Sequence, residues 1–326
     1  MKNNKKYALI AAAAAVVVGL GVSAGALGAI HRGSDSGMRF DISALDTNEL
    51  EARTYKVDKK FSDININDSS NTVRVLPTNE KICRVECYES KDTRYDVRVE
   101  NGTLNINRRD RRGFISFVGF SFGDYTLTVY LPESEYGYVD ISTASGDVEI
   151  GSKLTADKVN IDTASGDVKL DSLSCQMLTV NGASADIELT DVDCEELRAE
   201  TVSGEMELAN INARELSAHS TSGDIDLHSA RADSFKATTT SGEIELENVL
   251  VDGKMSLEST SGDIGLELCD AAELKISSTS GSVHGSLRSA KTFIAHSTSG
   301  DIDVPRTNGG KCEVSTTSGD IKLFVG

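Results

Sequence analysis

The chain has no tryptophan, only 3 prolines, and few cations: 33 Lys+Arg against 51 Asp+Glu, a formal net charge of −18 over 326 residues. That balance argues against a nucleic-acid binder, because phosphate contacts need clustered Lys and Arg. Histidine is scarce, and the five present fall at unlike positions, so no His cluster suits a metal. The six cysteines form no metal signature, and none follows the N-terminal apolar run, which excludes a lipoprotein. Charge is unevenly spread: residues 1–137 hold 19 basic and 18 acidic side chains, and residues 138–326 hold the other 14 and 33. Aromatics split the other way, 13 of 17 lying before position 138. Two regions of different chemistry meet near Tyr138.

What is present begins with an anchor. Residues 1–6 carry Lys2, Lys5 and Lys6, and residues 7–30 then run without a charge. A bilayer core needs about 20 such residues, whereas a signal-peptide core has about 7–15. Small-residue sites such as Ala26-Leu27-Gly28 leave cleavage as an alternative. Lysines before the span and none close behind it favour a cytoplasmic N-terminus and an extracytoplasmic remainder, although His31 and Arg32 weaken the contrast. Residues 31–53 form a tether and residues 54–137 an irregular β cap region; the rest is repetitive.

The motif Ser-Gly-Asp-aliphatic-x-aliphatic recurs with central residues Gly146, Gly166, Ala185, Gly204, Gly223, Gly242, Gly262, Gly281, Gly300 and Gly319, at intervals of 19 or 20. A fixed period near 20 means a solenoid. Apolar residues stand seven and five positions before the centre and two after it, as in Leu216, Ala218 and Ile225 around Gly223. Alternation by two predicts two short strands per coil whose inward faces fill the bore. The expected fold is all-β: a parallel β-solenoid of ten coils over residues 138–326, preceded by one transmembrane helix. Gly is expected to supply positive φ at the turn, Ala185 being the exception, and a return segment with small residues such as Ala213 closes each coil. Ile64, Ile66, Asn71, Val73 and Val75 read as a distorted earlier coil, with Asn71 at positive φ. Asn101-Gly102 predicts a hairpin. The last coil, ending at Phe324-Val325-Gly326, is expected to close the far end of the rod, with an end-to-end homodimer as one way of covering it.

The run Asn101-Gly102-Thr103-Leu104, the basic and aromatic segment after it, Thr128-Val129-Tyr130-Leu131-Pro132 and the Ser-Gly-Asp coils together resemble a bacterial adhesin-like family of β-strand-repeat proteins built on a domain of unknown function. The resemblance covers roughly Thr54 to Gly326. It implies an envelope role and no known catalysis; some relatives are tied to envelope stress and antimicrobial peptides.

Candidate sites follow from the repeats. After the central residues stand Asp147, Asp167, Asp186, Glu205, Asp224, Glu243, Asp263, Ser282, Asp301 and Asp320. Two residues further on, Glu149, Glu188, Glu207, Asp226, Glu245 and Asp303 share the same outward face. Stacked about 4.8 Å apart, such carboxylates repel. Bonding of turn N–H groups by the Asp side chains, a cationic partner, or Ca²⁺ are the three readings; the repeat is not the glycine-rich nonapeptide of calcium-binding β-rolls. The serines before each centre read as a structural hydroxyl ladder, since ten identical copies offer no partnered base. Arg108, Arg109, Arg111 and Arg112, followed by Phe114, Phe117, Phe120 and Phe122, read as a loop capping the solenoid or as a membrane contact. Cys83 and Cys87 share a strand face about 13 Å apart, too far to bond, whereas Cys175 and Cys194 should stack at a bondable separation, as two buried thiols or as a disulfide. Cys269 and Cys312 read as core.

The composite expectation is a single-pass, non-catalytic envelope scaffold or binding module, its partner an envelope protein, a glycan or a cationic peptide. Rival readings are a stress sensor working through a membrane partner and a polysaccharide-acting β-helix enzyme.

Overall fold

A computed structural model describes residues 50–110, 125–151 and 153–326, and in it every strand joins one sheet of 21 strands wound into a parallel β-solenoid. Among the described residues no helix is long and apolar enough to cross a membrane, and the expected span at 7–30 lies outside them. The N-terminal region contributes β1 (Glu51–Val57), β2 (Asp63–Asn67), β3 (Thr72–Thr78), β4 (Cys83–Glu89), β5 (Thr93–Glu100), β6 (Thr103–Asp110) and β7 (Thr126–Pro132). The array continues with β8 (Glu135–Thr143), β9 (Val148–Ile150), β10 (Leu154–Thr163), β11 (Val168–Gly182), β12 (Ile187–Glu200) and β13 (Met206–His219). It goes on through β14 (Ile225–Thr238), β15 (Ile244–Glu258) and β16 (Ile264–Ser277). Five short strands finish the chain: β17 (Val283–Leu287), β18 (Lys291–Ser297), β19 (Ile302–Asp303), β20 (Gly310–Thr316) and β21 (Ile321–Val325).

The long strands are bent rather than straight. The parallel pairing of β13 with β14 runs from Met206 to Ala209, skips Asn210, resumes from Ile211 to Ala213, skips Arg214, and resumes from Glu215 to His219. Each coil thus has three paired segments where the sequence pattern predicts two, because the return segment is itself a strand. Inward residues alternate along all three, and Met206, Leu208, Ile211, Ala213, Leu216 and Ala218 are all buried.

Positive φ lies elsewhere than expected. None of the central glycines has it, and neither does Asn71; the left-handed corner falls six residues later, at Ser172, Asp191, Asn210, Ser229, Asn248 and Leu268, with φ of 52° to 60°. Short polar side chains tolerate that region by bonding locally, and here they bond along the stack. Asn210 Nδ2 donates to Asp191 Oδ1 at 2.9 Å and Asn248 Nδ2 to Ser229 Oγ at 3.2 Å.

The central glycines answer a different demand. A Cβ on any of them would come within 1.7 to 2.1 Å of the carbonyl oxygen of the turn beneath. Ala185 is accommodated by a swap: Gly182 replaces the Thr or Ser found three residues before the other centres, and a Cβ there would lie 2.7 Å from that of Ala185.

Chain order is inverted at both ends of the stack. At the start, β2 and β3 are sandwiched: β2 pairs with β6 and β8, β3 with β7 and β9. The coil made by β6 and β7 therefore lies outside an earlier one. It is sealed by antiparallel strands, β5 on β6 and β4 on β7, with β1 on β4. At the far end β20 inserts between β16 and β18, and β21 between β17 and β19. The Gly319 coil is thus internal and the Gly300 coil is outermost, which corrects the expectation that the last residues close the rod. Ile302, expected in the bore, is 45% exposed, while Ile321 and Leu323 are fully buried. The hairpin at Asn101-Gly102 forms as predicted, between β5 and β6.

Two substitutions test these readings. Gly182→Thr alone should destabilise the protein, whereas Gly182→Thr combined with Ala185→Gly restores the common turn. The double-mutant cycle in denaturant should show a favourable coupling of about 1 kcal/mol or more, and additivity would refute the swap. Leu268 is a bulky residue at φ 52°, a conformation costing roughly 1–2 kcal/mol outside Gly, Asn and Asp. Leu268→Asn should raise stability by about 1 kcal/mol, read from the urea midpoint.

Candidate functional site

The turn is held by a hydroxyl three residues before its centre. Thr143, Thr163, Thr201, Ser220, Thr239, Ser259, Ser278, Ser297 and Thr316 each accept the backbone N–H of their own central glycine at 2.8 to 3.2 Å. Several also donate to a neighbouring coil, as Thr201 Oγ1 does to Ala185 O at 3.0 Å and Thr316 Oγ1 to Gly281 O at 3.0 Å. The buried hydroxyl ladder is therefore this column, and the serines next to the glycine, where the ladder was expected, stand at the rim of the turn. Its signal in the sequence was a Thr/Ser column with one gap, at Gly182.

The acidic residues after the centres do line up. In each Asp the Oδ1 accepts the backbone N–H of its counterpart in the next coil: Asp147 from Asp167 at 3.0 Å, Asp167 from Asp186 at 3.2 Å, Asp186 from Glu205 at 2.9 Å, Asp224 from Glu243 at 2.7 Å and Asp263 from Ser282 at 2.7 Å. At the inverted end, Asp320 accepts from Asp301 at 2.9 Å. No such bond stands above Glu205 or Glu243 among the described residues, consistent with the extra methylene lifting the carboxylate away from the turn. This is the turn-bonding role weighed from the sequence.

The parallel column two residues on is where charge is left over. Register aligns Glu149, Lys169, Glu188, Glu207, Asp226, Glu245, Gly265 and His284. Arg74 holds Glu149 at 2.6 Å and Lys169 holds Glu188 at 2.5 Å. From the other side Glu245 lies over Gly265, where a Cβ would be 2.0 Å from its Oε2, and approaches His284 Nε2 at 4.0 Å. Glu207 and Asp226 remain in the middle, flanked by Glu205 and Asp224. Desolvation first, then the neighbouring carboxylates, pushes Glu205, Asp226 and Glu245 above their ordinary range. Among the described residues no group of three or more His, Cys, Asp or Glu is disposed to hold a metal ion.

Arg108 is not a surface contact. Its guanidinium meets the buried Asp68 at 3.3 Å, and Asp68 Oδ1 also accepts the N–H groups of Ser70 and Asn71 at 2.9 Å each. Tyr95 Oη donates to the other oxygen of Asp68 and accepts from Asn71 Nδ2 at 2.8 Å. Asp68 thus does at the first coil what Thr and Ser do later. Arg109 is exposed and pairs with Asp96. Arg111, Arg112, Phe114, Phe117, Phe120 and Phe122 lie outside the described residues. Cys175 and Cys194 stand in register on β11 and β12, and all six cysteines are free thiols. Burial pushes the Cys83, Cys87 and Cys312 thiols up to about 12, so these are poor nucleophiles.

Fold and turns together define a parallel β-solenoid repeat protein. Its sequence matches the Toastrack DUF4097 family over residues 61–249 and 249–325, and the chain belongs to that family. Similar solved structures include a candidate adhesin from Bacteroides fragilis, 18% identical, covering 85% of this chain and 98% of that one at a TM-score of 0.42. A candidate lipid-binding protein from Parabacteroides distasonis is 16% identical, with coverages of 85% and 97% and a TM-score of 0.43. A candidate adhesin from Parabacteroides merdae is 13% identical, with coverages of 86% and 97% and a TM-score of 0.43. No curated protein matches the sequence.

The acidic face has a signed pH dependence. A carboxyl whose folded pKa is raised binds its proton more readily when folded, so its contribution to stability grows as pH falls through the folded pKa and is lost as pH rises. Acidification from neutrality into the upper carboxylate range should therefore raise the melting temperature. The combination Glu205→Gln, Asp226→Asn and Glu245→Gln should flatten that rise. Millimolar Ca²⁺ should do no more than monovalent salt of matched ionic strength, since screening relieves repulsion without a site. A saturable, calcium-specific shift abolished by Asp224→Asn, Asp263→Asn and Asp301→Asn would overturn this reading.

Proposed function

We propose that this chain is a membrane-anchored, extracytoplasmic β-solenoid that serves the bacterial cell envelope as a non-catalytic binding or scaffold module. The observation that carries the reading is the regular outer surface. Coil after coil presents outward side chains at the same spacing in continuous columns, and the Asp residues of the acidic column are engaged in holding the turns. Such a surface suits extended ligands that contact several coils at once, as solenoid surfaces commonly do. The charge-free run at 7–30, behind three lysines, supports the envelope placement. Polysaccharide cleavage would need acidic and basic groups converging in a cleft; here they alternate along an exposed column, as in Lys169 beside Glu188.

Protease shaving of intact cells should remove residues beyond the tether while leaving a cytoplasmic marker intact. Full protection, in cells demonstrably shaved of other surface proteins, would refute the topology. Pulldown of the full chain from envelope extract, with mass spectrometry and glycan analysis, should recover an envelope component. Turnover of polysaccharides by the purified protein would refute the non-catalytic assignment.

A further inference from the structure

One concave site lies away from the acidic columns. On the outer face of the first coils, beside the tip of the β5–β6 hairpin, a groove of about 370 Å³ is lined by Asp63, Asn65, Glu100, Asn101, Asn105 and Tyr138 among others. Its floor is two strands in parallel register, with Asp63 beside Thr103 and Asn65 beside Asn105. The hairpin tip forms one wall. Asn101 and Gly102, both at positive φ, turn the chain so that Gly102 O accepts the N–H groups of Ser62 at 2.9 Å and Asp63 at 3.2 Å. The other wall is Tyr138, 41% exposed although neighbouring bore residues are buried. Its placement is fixed by its backbone N–H, which donates to Asp63 Oδ1 at 3.1 Å. Gly137 makes that possible, since a Cβ there would lie 2.6 Å from the same oxygen.

The volume falls within the ordinary range for small-ligand sites, about 300–1,000 Å³, but those sites are mostly apolar and this one is not. Its lining decides the ligand class. A lipid tail finds little apolar surface here. An anionic group finds no cation among the six lining residues named. A metal ion finds no group of three or more His, Cys, Asp or Glu disposed to hold it among the described residues, and the two carboxylates here are partly engaged, Asp63 by the Tyr138 N–H and Glu100 by Arg98 at 3.1 Å. Asp140, just beyond the groove, takes the Asn65 amide at 3.1 Å and the Asn160 amide at 2.9 Å. What remains on offer is amide chemistry. Asn65 spends one N–H on Asp140, and Asn105 spends one on Thr103 O at 3.1 Å. Each keeps its carbonyl oxygen and a second N–H unengaged among the described residues. Paired donors and acceptors beside the flat, apolar face of an aromatic ring are the complement of a sugar, which offers vicinal hydroxyls at its edge and C–H groups on its face. The Tyr138 hydroxyl stays protonated through the physiological range, because burial and then Asp140, to which it also hydrogen-bonds, push it up to about 12, so its oxygen is left to accept.

We propose that this groove is a subsite for a neutral glycan, with Tyr138 stacking on a sugar ring and Asn65 and Asn105 bonding its hydroxyls. The proposal rests on the binding-module reading and names the ligand class for it. The Asn/Asp pattern continues along the same face through Asn160, Asp162 and Asn181, where Asn181 Nδ2 donates to Asp162 Oδ1 at 2.8 Å. An oligosaccharide lying along the stack would meet these next.

The test uses the full chain in a detergent without a sugar headgroup. It is titrated against neutral tetrasaccharides of glucose, mannose, galactose and N-acetylglucosamine, followed by saturation-transfer NMR and calorimetry. At least one should bind saturably. Tyr138→Ala, and separately Asn65→Ala with Asn105→Ala, should weaken it about tenfold or more, a factor equivalent to a single well-made contact. Tyr138→Phe keeps the ring and should retain most of the affinity, and Glu245→Gln on the acidic face should leave it unchanged. Melting curves of each variant separate loss of binding from loss of fold. Absence of binding to the whole panel, binding indifferent to the groove substitutions, or binding of Ca²⁺ alone would each overturn the proposal. Should envelope pulldown succeed equally with wild type and Tyr138→Ala while the panel fails, the glycan subsite falls and the binding-module reading stands.

Discussion

The structure depends on how closely one turn can sit on the next. At each central glycine the α-carbon rests against the carbonyl of the turn below, leaving less than 2.2 Å for a β-carbon that is not there. That approach brings the buried Thr/Ser hydroxyl within reach of both its own glycine N–H and the carbonyl beneath. It also brings each Asp carboxylate to the next coil's N–H. Turn, hydroxyl and carboxylate therefore form one hydrogen-bonded corner that satisfies backbone groups at the point where the strand ladders break. The bore residues follow, since the spacing fixed at this corner is the spacing at which they stack.

A solenoid built from equivalent coils has a problem at its ends, where the last strands expose unpaired backbone and apolar bore. Chain order is inverted at both ends, but among the described residues only the start is sealed, Ile302 of the outermost far coil staying 45% exposed. The antiparallel β5, β4 and β1 cover the start, and at the finish the chain's last strands are clamped between two coils. A buried lysine is held within the second arrangement. Lys291, on the outermost coil, sends its ammonium past Gly310 of the inserted strand to Asp270 at 2.5 Å, Ala271 O at 2.6 Å and Ser289 Oγ at 2.9 Å. Gly310 lets the inserted strand pack close to β16, since a Cβ there would lie 2.7 Å from Ala272 O. An ammonium taken out of water needs all of these partners, and with the Gly300 coil outermost they are all within reach.

The period, the parallel stacking and the bore were legible because alternation by two leaves an unambiguous trace when it recurs at a fixed interval. Leu197, Leu216, Phe235 and Met255 are buried as their column predicts. The corner was misread because glycine carries two meanings, freedom of φ and lack of a β-carbon, and only the second applies at these turns. The real left-handed column is written in Ser, Asp and Asn, residues that any polar surface contains, and Leu268 breaks even that pattern. End inversion was illegible for a deeper reason. Equivalent coils offer equivalent registers, so pattern alone cannot rank one neighbour above another. The glycan groove was hidden likewise, its members coming from three strands and a hairpin tip.

The carboxylates divide by length, and the division separates structure from surface. Asp is short enough to reach the turn above, so Asp147, Asp167, Asp186, Asp224 and Asp263 are engaged by the fold. Glutamates at the same position do not reach, and together with the column two residues on they project outward. Repulsion there is tempered by Arg74 and Lys169 on one side and His284 on the other, leaving its greatest density around Glu205, Glu207 and Asp226. On a different chemical footing, the first coils present amides bonded to the carboxylates of Asp140 and Asp162, with Tyr138 exposed beside them. One rod therefore carries two outer chemistries. The acidic stretch repels anions and other copies of itself, and the face of the first coils presents amides interleaved with carboxylates that they already bond. Neutral, hydroxyl-rich polymers are the class that can lie against the second without being sensed by the first.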